Sequence, residues 1–451
     1  MASAPDTIAA IATPPGRGAI GVLRVSGPAS VAIAQGVLGR LPRPRQAALA
    51  DFCDADGGIL DRGLALYFPA PHSFTGEDVL ELHAHGGVQV LDLLLRRLLA
   101  LGCRQARAGE FSERAFLNGK LDIAQAEAIA DLIDAGSAAA ARAAVRSMRG
   151  EFSTQVRLLQ AKLTGLRILA EAAIDFPDEE VDFAADSVVR SHLAGIISSF
   201  EQISATARQG ALLREGLNVV IAGPPNAGKS SLLNRLAGDD VAIVADLPGT
   251  TRDVLREHLN LDGLPINIID TAGLRHSEDR IELEGIRRAR SEIARADLVL
   301  YVIDDTTADD ALTATNAMFD IAPAVPVTVV FNKIDLSGAS PALEQRVNFT
   351  QIRVSVSSGA GIDLLRAHLK RTAGVTDGEG AVVSARRRHL DALARARRAV
   401  DAAAVALNGS GAPELVAEDL RLAQRALGEI TGEFSSDDLL GAIFSSFCIG
   451  K

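Results

Sequence analysis

The stretch from Leu217 to Leu236 constrains this chain more than any other. An apolar β-type run, Leu217 to Ala222, is broken by Gly223, and Gly223-Pro-Pro-Asn-Ala-Gly228-Lys229-Ser230 leads into a helix-forming segment, Lys229 to Leu236. A strand, a glycine-punctuated loop and a helix in that order build an anion site. The glycines let backbone N–H groups curl around a polyphosphate, and the helix N-terminus adds partial positive charge. Lys229 reaches the terminal phosphates and the Ser230 hydroxyl can ligate Mg²⁺.

Three more motifs follow at workable spacing: Gly249-Thr-Thr-Arg-Asp253, Asp270-Thr-Ala-Gly273 and Asn332-Lys-Ile-Asp335. Asp270 ends the apolar run Ile266 to Ile269, so a strand presents it at its carboxyl end, where open α/β sheets bind ligands. It can hold the Mg²⁺ shell there, directly or through water. Asn332-Lys333-x-Asp335 follows a second buried run, Val325 to Phe331. A carboxylate at that point can accept from both N1–H and the exocyclic amine of guanine. Adenine offers no such donor pair, so the nucleotide is GTP. Alone, N-K-x-D reads more readily as a surface turn; behind the other motifs that reading no longer competes.

Ser355, after Gln351-Ile-Arg-Val354, falls where a last base-contacting loop is expected, with Val356 in place of the usual small residue. Ras-like enzymes orient the attacking water with a Gln just after D-x-x-G, and here that position is Leu274. Glu282, on the charged helix-like stretch Arg280 to Ala296, is the nearest carboxylate for the task; it reads equally as a solvated charge among arginines.

With 451 residues, 48% of them hydrophobic, the chain has material for two to four domains. Residues 1–118 mix β-type runs (Ile20 to Val25, Leu64 to Phe68, Val79 to His83) with a helix, Val88 to Leu101, the pattern of a small α+β domain. Residues 119–213 are Ala-rich and helical, Ile123, Ala126, Ala130 and Ile133 stepping by three and four. Residues 376–451 repeat that spacing at Val416, Leu420, Ala423, Leu427 and Ile430. The expectation is a multidomain α/β plus α chain: a Ras-like G domain, residues 214–375, inserted into one discontinuous helical domain behind the α+β domain. The Gly-rich stretch Gly374 to Gly380 marks the return, and such an insertion suits a switch whose motion is passed on.

Cys53, Cys103 and Cys448 have neither metal spacing nor an even count, which fits a reducing cytosol. No basic-then-apolar leader opens the chain, and every long apolar stretch is broken by charge short of the roughly 18 residues of a membrane span, so a soluble, cytoplasmic protein is expected. The ending Cys448-Ile-Gly-Lys451 has the position of a prenylation signal without its chemistry. A net charge of −11 argues against non-specific coating of nucleic acid. Arg386, Arg387, Arg388, His389, Arg395, Arg397 and Arg398 either meet phosphates or form a solvated basic face. The acidic run Asp175 to Phe183 is an interaction loop or a solvated connection, and His83 and His85 have H-x-H spacing with no third metal ligand evident.

Gly76-Glu-Asp-Val-Leu-Glu81, His85-Gly-Gly87, Asn118-Gly-Lys-Leu-Asp122, Ala124-Gln-Ala-Glu-Ala-Ile129, Asp175-Phe-Pro-Asp-Glu-Glu180 and the tail Phe447-Cys-Ile-Gly-Lys451 carry a specific resemblance. From Asp6 to Lys451 the chain resembles the bacterial tRNA-modification GTPases of the MnmE (TrmE) family. The resemblance implies an N-terminal domain that binds a 5,10-methylene- or 5-formyl-type tetrahydrofolate and forms a homodimer. It also implies a flavoprotein partner, MnmG, with which the family installs an aminomethyl or carboxymethylaminomethyl group at C5 of the wobble uridine of certain tRNAs.

By the same resemblance the GTP-contacting residues are Asn226, Ala227, Gly228, Lys229, Ser230, Ser231, Ala245, Asp246, Leu247, Pro248, Gly249, Thr250, Thr251, Asp270, Thr271, Ala272, Gly273, Asn332, Lys333, Asp335 and Ser355. Ser230 and Thr251 would hold Mg²⁺. Asn226 and the carbonyls of Ala245, Leu247 and Thr250 would hold K⁺ in place of an arginine finger, and Glu282 would orient the water. Arg24, Glu81, Lys120 and Lys451 match the folate positions; without the resemblance each reads as a surface or capping residue. Cys448 is a reactive thiol or a solvent-facing one. A second function class is a regulatory GTPase of ribosome assembly, which usually calls for a basic RNA-binding module, and this acidic chain shows none.

Asp335→Asn removes the acceptor pair for guanine. Selectivity for GTP over xanthosine triphosphate should fall, as read by competition for nucleotide binding.

Overall fold

The structure, a computed structural model, describes residues 6–175, 187–238, 256–261, 264–270, 293, 296–307, 325–347, 349–373, 382–409, 412–434 and 437–450. In chain order its elements are β1 (Ile8–Ile11), β2 (Ile20–Ser26), α1 (Ser30–Leu38), β3 (Ala48–Cys53), β4 (Ile59–Phe68), β5 (Val79–His85), α2 (Val88–Ala100), β6 (Arg104–Gln105), α3 (Glu110–Leu117), α4 (Ile123–Ile133), α5 (Ala138–Met148), α6 (Glu151–Asp175) and α7 (Ser187–Glu215). Then come β7 (Leu217–Ala222), α8 (Lys229–Ala237), β8 (Arg256–Leu261), β9 (Leu264–Asp270), β10 (Leu298–Asp304), β11 (Val327–Asn332), α9 (Ile334–Ser337), β12 (Ala342–Gln345), β13 (Thr350–Arg353), α10 (Ile362–Thr372), α11 (Arg387–Asn408), α12 (Pro413–Thr431) and α13 (Asp437–Ser445). The chain forms two compact units. Met1–Ala130, Met148–Ile196 and Ala392–Lys451 make the first; Asp131–Ser147 and Ile197–Asp391 make the second.

In the first unit a six-stranded sheet runs in the order β3-β4-β5-β2-β1-β6. Alternation along β2 and β5 sends Leu23, Val25, Leu80 and Leu82 to one face, where they are buried with Ile33 and Val37 of α1 and Leu91, Leu94 and Leu98 of α2. The intervening residues point the other way. Leu66, Glu81, Arg24 and Ala10 form one rung across that second face, and Phe68, Val79, Ser26 and Ile8 form the next rung on the same side. Ile8 and Ala10 are covered there by Phe111 of α3 and by Phe74.

The helices of this unit follow their apolar periodicity. α6 and α12 pack along each other, with Leu159, Leu163 and Leu166 of α6 and Val416, Leu420, Ala423, Leu427 and Ile430 of α12 all buried. Ile123, Ala126 and Ala130 of α4 are buried against Phe444 and Phe447 at the chain's end. Ile133, the fourth member of that sequence series, is instead 55% exposed. Among the described residues no helix is long and apolar enough to cross a membrane.

The second unit holds a seven-stranded sheet ordered β12-β13-β11-β10-β7-β9-β8. β9, β7, β10, β11 and β13 are mutually parallel and the two edge strands antiparallel, the arrangement of a Ras-like P-loop domain. Parallel strands covered on both faces must be apolar throughout, and β10 and β11 are buried along nearly their whole length. One face packs Val219, Ile221, Leu300 and Val302 against Leu232 and Leu236 of α8 and Leu365 and Leu369 of α10. Val220, Val299, Tyr301 and Phe331 lie on the other face.

Where this sheet joins its helices, one buried carboxylate fastens three segments. Asp131, in the last turn of α4, accepts from Arg214 Nε at the end of α7 (2.7 Å), from Arg386 Nη2 (2.8 Å) and from the Ser384 hydroxyl (2.7 Å). Arg214 lies just ahead of β7, and Ser384 and Arg386 lie on the return from α10. At Gly210 of α7 the return segment crosses so closely that a Cβ would sit 1.7 Å from the Val383 carbonyl oxygen. Asp131 explains the exposure of Ile133: α4 changes neighbours here, and the inward position is taken by the carboxylate. The arginine-rich stretch is correspondingly divided. Arg386 precedes α11 and pairs with Asp131, Arg395 pairs with Glu429, Arg397 pairs with Asp401, and His389 is buried. The run Arg280 to Ala296 (apart from Ile293 and Ala296), the acidic run beyond Asp175 and Gly374 to Gly380 lie outside the described residues.

Asp131→Ala leaves two guanidinium groups without their shared acceptor. It should destabilise the second unit by about 3 kcal/mol, the lower end for a broken buried pair because Arg214 keeps some solvent. Urea unfolding followed by the nucleotide-binding signal measures it.

Candidate functional site

The loop after β7 is shaped by its glycines. Gly223 has φ 141°, and a Cβ there would lie 2.0 Å from the Val302 carbonyl oxygen of β10, so only glycine lets the chain turn off the sheet at this point. Gly228 (φ 96°) precedes the first turn of α8, and Asn226 also adopts a left-handed backbone, φ 60°. The Lys229 ammonium donates to the carbonyls of Gly223 (3.0 Å) and Pro224 (2.8 Å), curling back over the loop that its own helix follows. Ser230 and Ser231 are exposed on the first turn of α8, and Ala227 is buried.

Asn332 closes the site from beneath. It is buried; its Nδ2 donates to the Ala227 carbonyl (2.9 Å), and its Oδ1 accepts from the Val356 N–H (3.1 Å). The phosphate loop and the loop after β13 are thereby locked to the end of β11. Lys333 has φ 69° and sends its ammonium to Asp304 Oδ2 (2.6 Å) at the end of β10. Burial pushes the Asp304 carboxyl up, but hydrogen bonds from Lys333 and Thr306 outweigh it and hold it below the usual range.

Asp335 is exposed and presented outward. Ser355 Oγ donates to its Oδ1 (2.6 Å) and Ser357 Oγ to its Oδ2 (3.0 Å), and these bonds, Ser355 first, keep the carboxyl ionised below the usual carboxylate range. Ser355 itself is fully buried, so its hydroxyl orients Asp335. Sequence reasoning missed Ser357 and Asp304. Asp304 carried a legible signal, an acid ending a buried apolar run, the same signature as Asp270 at the end of β9. The Asp270 side chain lies outside the described residues, as do Ala245, Asp246, Leu247, Pro248, Gly249, Thr250, Thr251, Thr271, Ala272, Gly273 and Glu282.

A second polar constellation lies on the first unit's sheet. Arg24 Nε donates to Glu81 Oε1 (2.8 Å), and His83 Nε2 stands 3.4 Å from Glu81 Oε2. The Arg24 guanidinium lies 5.5 Å from the Phe74 ring centre and 5.7 Å from that of Phe111, two aromatic walls the sequence did not reveal. Lys120 donates to the Pro71 carbonyl (3.0 Å), and Gly76 (φ 80°) leaves a space that a Cβ would fill, 3.0 Å from Asn118 Cβ.

The chain's tail reaches the same domain. Gly109 N–H donates to the Cys448 carbonyl (3.3 Å), Ile449 bridges to Ala108, and Gly450 (φ 95°) sits so that a Cβ would be 2.6 Å from the Ile11 carbonyl oxygen. Ile11 is the neighbour of Ala10, which pairs with Arg24. Lys451 lies outside the described residues. Cys448 is exposed, whereas Cys103 is buried and its thiol is pushed up to about 12 by burial. His85 pairs with Asp61 (2.8 Å), and among the described residues no three His, Cys, Asp or Glu side chains gather as a metal site.

Two family models match the chain: one described as the MnmE helical domain over residues 123–448, the other as the GTP-binding protein TrmE N-terminus over residues 7–120. The chain is 58% identical over 453 residues to a tRNA modification GTPase MnmE of Yersinia pestis bv. Antiqua (strain Angola), covering 100% of both. It is 58% identical over 448 residues to the protein of that name from Methylococcus capsulatus, covering 99% of each. Among solved structures, the G domain of the T. maritima FeoB iron transporter matches 35% of this chain and 98% of its own at 26% identity, with a TM-score of 0.27.

Asn332→Ala removes both ties beneath the nucleotide site. Each buried partner left unpaired costs about 1–3 kcal/mol, so GTP affinity should fall by roughly tenfold or more, measured by titration with a fluorescent GTP analogue.

Proposed function

The chain belongs to the MnmE family of tRNA modification GTPases, and on that premise we propose how its residues serve GTP hydrolysis in tRNA modification. The observation that carries the reading is Asn332, which binds the phosphate loop and the base loop into one frame with Asp335 facing outward. In that frame the triphosphate lies over the N–H groups of Asn226 to Ser231 and the guanine edge meets Asp335. Lys229, curled onto neutral carbonyls, turns to the β and γ phosphates when they arrive. Lys333 is held off the base by Asp304, so its aliphatic stem packs beside guanine.

Ser230, Thr251 and the carboxylate of Asp270 are the residues for Mg²⁺, which offsets phosphate charge. Asn226 offers an exposed amide oxygen, a hard donor suited to an alkali cation, and with the carbonyls of Ala245, Leu247 and Thr250 it would hold K⁺; that ion supplies positive charge where an arginine finger otherwise acts. Glu282 orients the attacking water, the task Leu274 cannot perform. The remaining predicted contacts, Asp246, Pro248, Gly249, Thr271, Ala272 and Gly273, would serve the phosphates of the nucleotide.

The Arg24 and Glu81 pair fits a tetrahydrofolate. Glu81 keeps one oxygen only loosely engaged, able to accept from a pterin's donor edge, and the Phe74 ring lies beside the pair. Lys120 and Lys451 take the glutamate carboxylates, and the bound folate supplies a one-carbon unit. The assembly we propose is a cytoplasmic homodimer through residues 1–118. It works with the flavoprotein MnmG on the wobble uridine of tRNA, with residues 119–213 and 376–451 carrying the inserted G domain, residues 214–375.

GTP turnover should be at least tenfold faster in K⁺ than in Na⁺ at equal ionic strength; equal rates remove the potassium model. Cells lacking this gene should lose C5-modified wobble nucleosides by mass spectrometry. An unchanged nucleoside profile would favour a ribosome-assembly role instead.

A further inference from the structure

Several cations on one face of the first unit's sheet are paired with acids. Arg24 is paired with Glu81, Arg104 with Asp6 and Glu110, and Arg114 with Asp6 and Glu77. Lys120 and Arg45 are bound to carbonyls instead, with no carboxylate partner among the described residues. Lys120 donates to the Pro71 carbonyl, and Arg45 Nη2 donates to the carbonyl of the very next residue, His72. Both side chains are exposed, so one short loop carries two uncompensated positive charges on adjacent residues. Two residues further along the same loop, Phe74 lies against Arg24.

The acids of this loop are already engaged. Glu77 accepts from Arg114 and Ser26, and Asp78 accepts from the Ala70 N–H (2.9 Å).

Arg45 is also held in a conformation that a bulky residue rarely adopts. Its φ is 60°, and it is kept there by its N–H on the Tyr67 carbonyl (2.8 Å) and by its guanidinium lying 5.9 Å from the Phe68 ring centre. Left-handed backbone at a non-glycine residue is costly and persists where surrounding contacts over-determine it. Phe68 lies on the same sheet face as Glu81, one rung along. Lys120 and Arg45 therefore stand at the adjacent carbonyls of Pro71 and His72, with the exposed Arg43 two residues upstream of Arg45.

We propose that this track from Lys120 to Arg45 binds the γ-linked polyglutamate tail of a folate, and that Arg45 selects for the extended tail. The proposal rests on the folate reading of Arg24 and Glu81 and adds the form of folate the site prefers. A monoglutamate ends in carboxylates that Lys120 reaches. Each added γ-glutamyl unit brings one more carboxylate, and Arg45 is the next cation in line. A guanidinium on a rigid ring and carbonyl seat offers a planar, pre-oriented donor pair for a carboxylate. Neutral carbonyls that now accept from the two cations surrender them at little electrostatic cost.

The test is calorimetric titration of the full-length protein with (6S)-5-formyltetrahydrofolate as the monoglutamate and as the γ-linked triglutamate. The triglutamate should bind roughly tenfold more tightly, the equivalent of one charge-assisted hydrogen bond, and the gain should shrink at high salt. Arg45→Ala should abolish the gain and leave monoglutamate affinity within about twofold, while Arg45→Lys should keep part of it; unchanged GTP affinity in both variants certifies folding. Equal affinity of the wild-type protein for the two ligands, or equal losses for both in Arg45→Ala, overturns the proposal while leaving the folate site standing. Failure of either form to bind overturns the folate reading and the proposal with it.

Discussion

A buried carboxylate holds the second unit together. The seven-stranded sheet of this unit is preceded by α7 and followed by the return segment from α10, and the two meet the end of α4 at one point. Asp131 gathers the helix that leads into β7, the segment that returns from α10 and the end of α4 onto one carboxylate. A buried ion of this kind is a costly group to desolvate, and its attraction to Arg214 and Arg386 is offset accordingly. What it contributes is registry: only one arrangement of three segments satisfies both oxygens. The close crossing at Gly210 belongs to the same junction, since any side chain there would push the return segment off α7.

The same principle operates at the other end of the sheet. Asn332 uses one amide to tie together two loops that are distant in sequence, each through a backbone group that would otherwise be buried without a partner. Gly228 is required by that tie, because a Cβ would meet Asn332 Nδ2 at 2.2 Å. Asp335 depends on it in turn, as Ser355 and Ser357 lie on the loop that Asn332 fixes. The residues we propose for the nucleotide are thus positioned by one that braces their two loops from behind.

On the first unit's sheet, chemistry follows from the alternation of two strands. Leu23, Leu80 and Leu82 hold α1 and α2 on one face, which leaves Arg24 and Glu81 directly opposite each other on the other. The rings of Phe74 and Phe111 lie against the Arg24 guanidinium, and the tail from Phe447 to Gly450 is laid against β1 beside it. Residues separated by most of the chain's length become neighbours here because Phe444 and Phe447 bury themselves against α4.

The nucleotide site was legible in the sequence because its parts are local. A glycine between a strand and a helix, an acid at the end of an apolar run and an Asn-Lys-x-Asp turn are each set by a few adjacent residues, as are the apolar steps of α12. The resemblance of the flanking blocks supplied Arg24, Glu81 and Lys120. Tertiary structure alone decided the rest: that Asn332 braces two loops, that Ser355 serves Asp335, that Ile133 yields its inward place to Asp131, that Arg386, Arg395 and Arg397 are spent on internal pairs, and that Arg45 and Lys120 sit at adjacent carbonyls with no carboxylate partner among the described residues. Each of these joins residues far apart in the chain, and no local periodicity records which buried polar group will meet which partner once the backbone has closed around it.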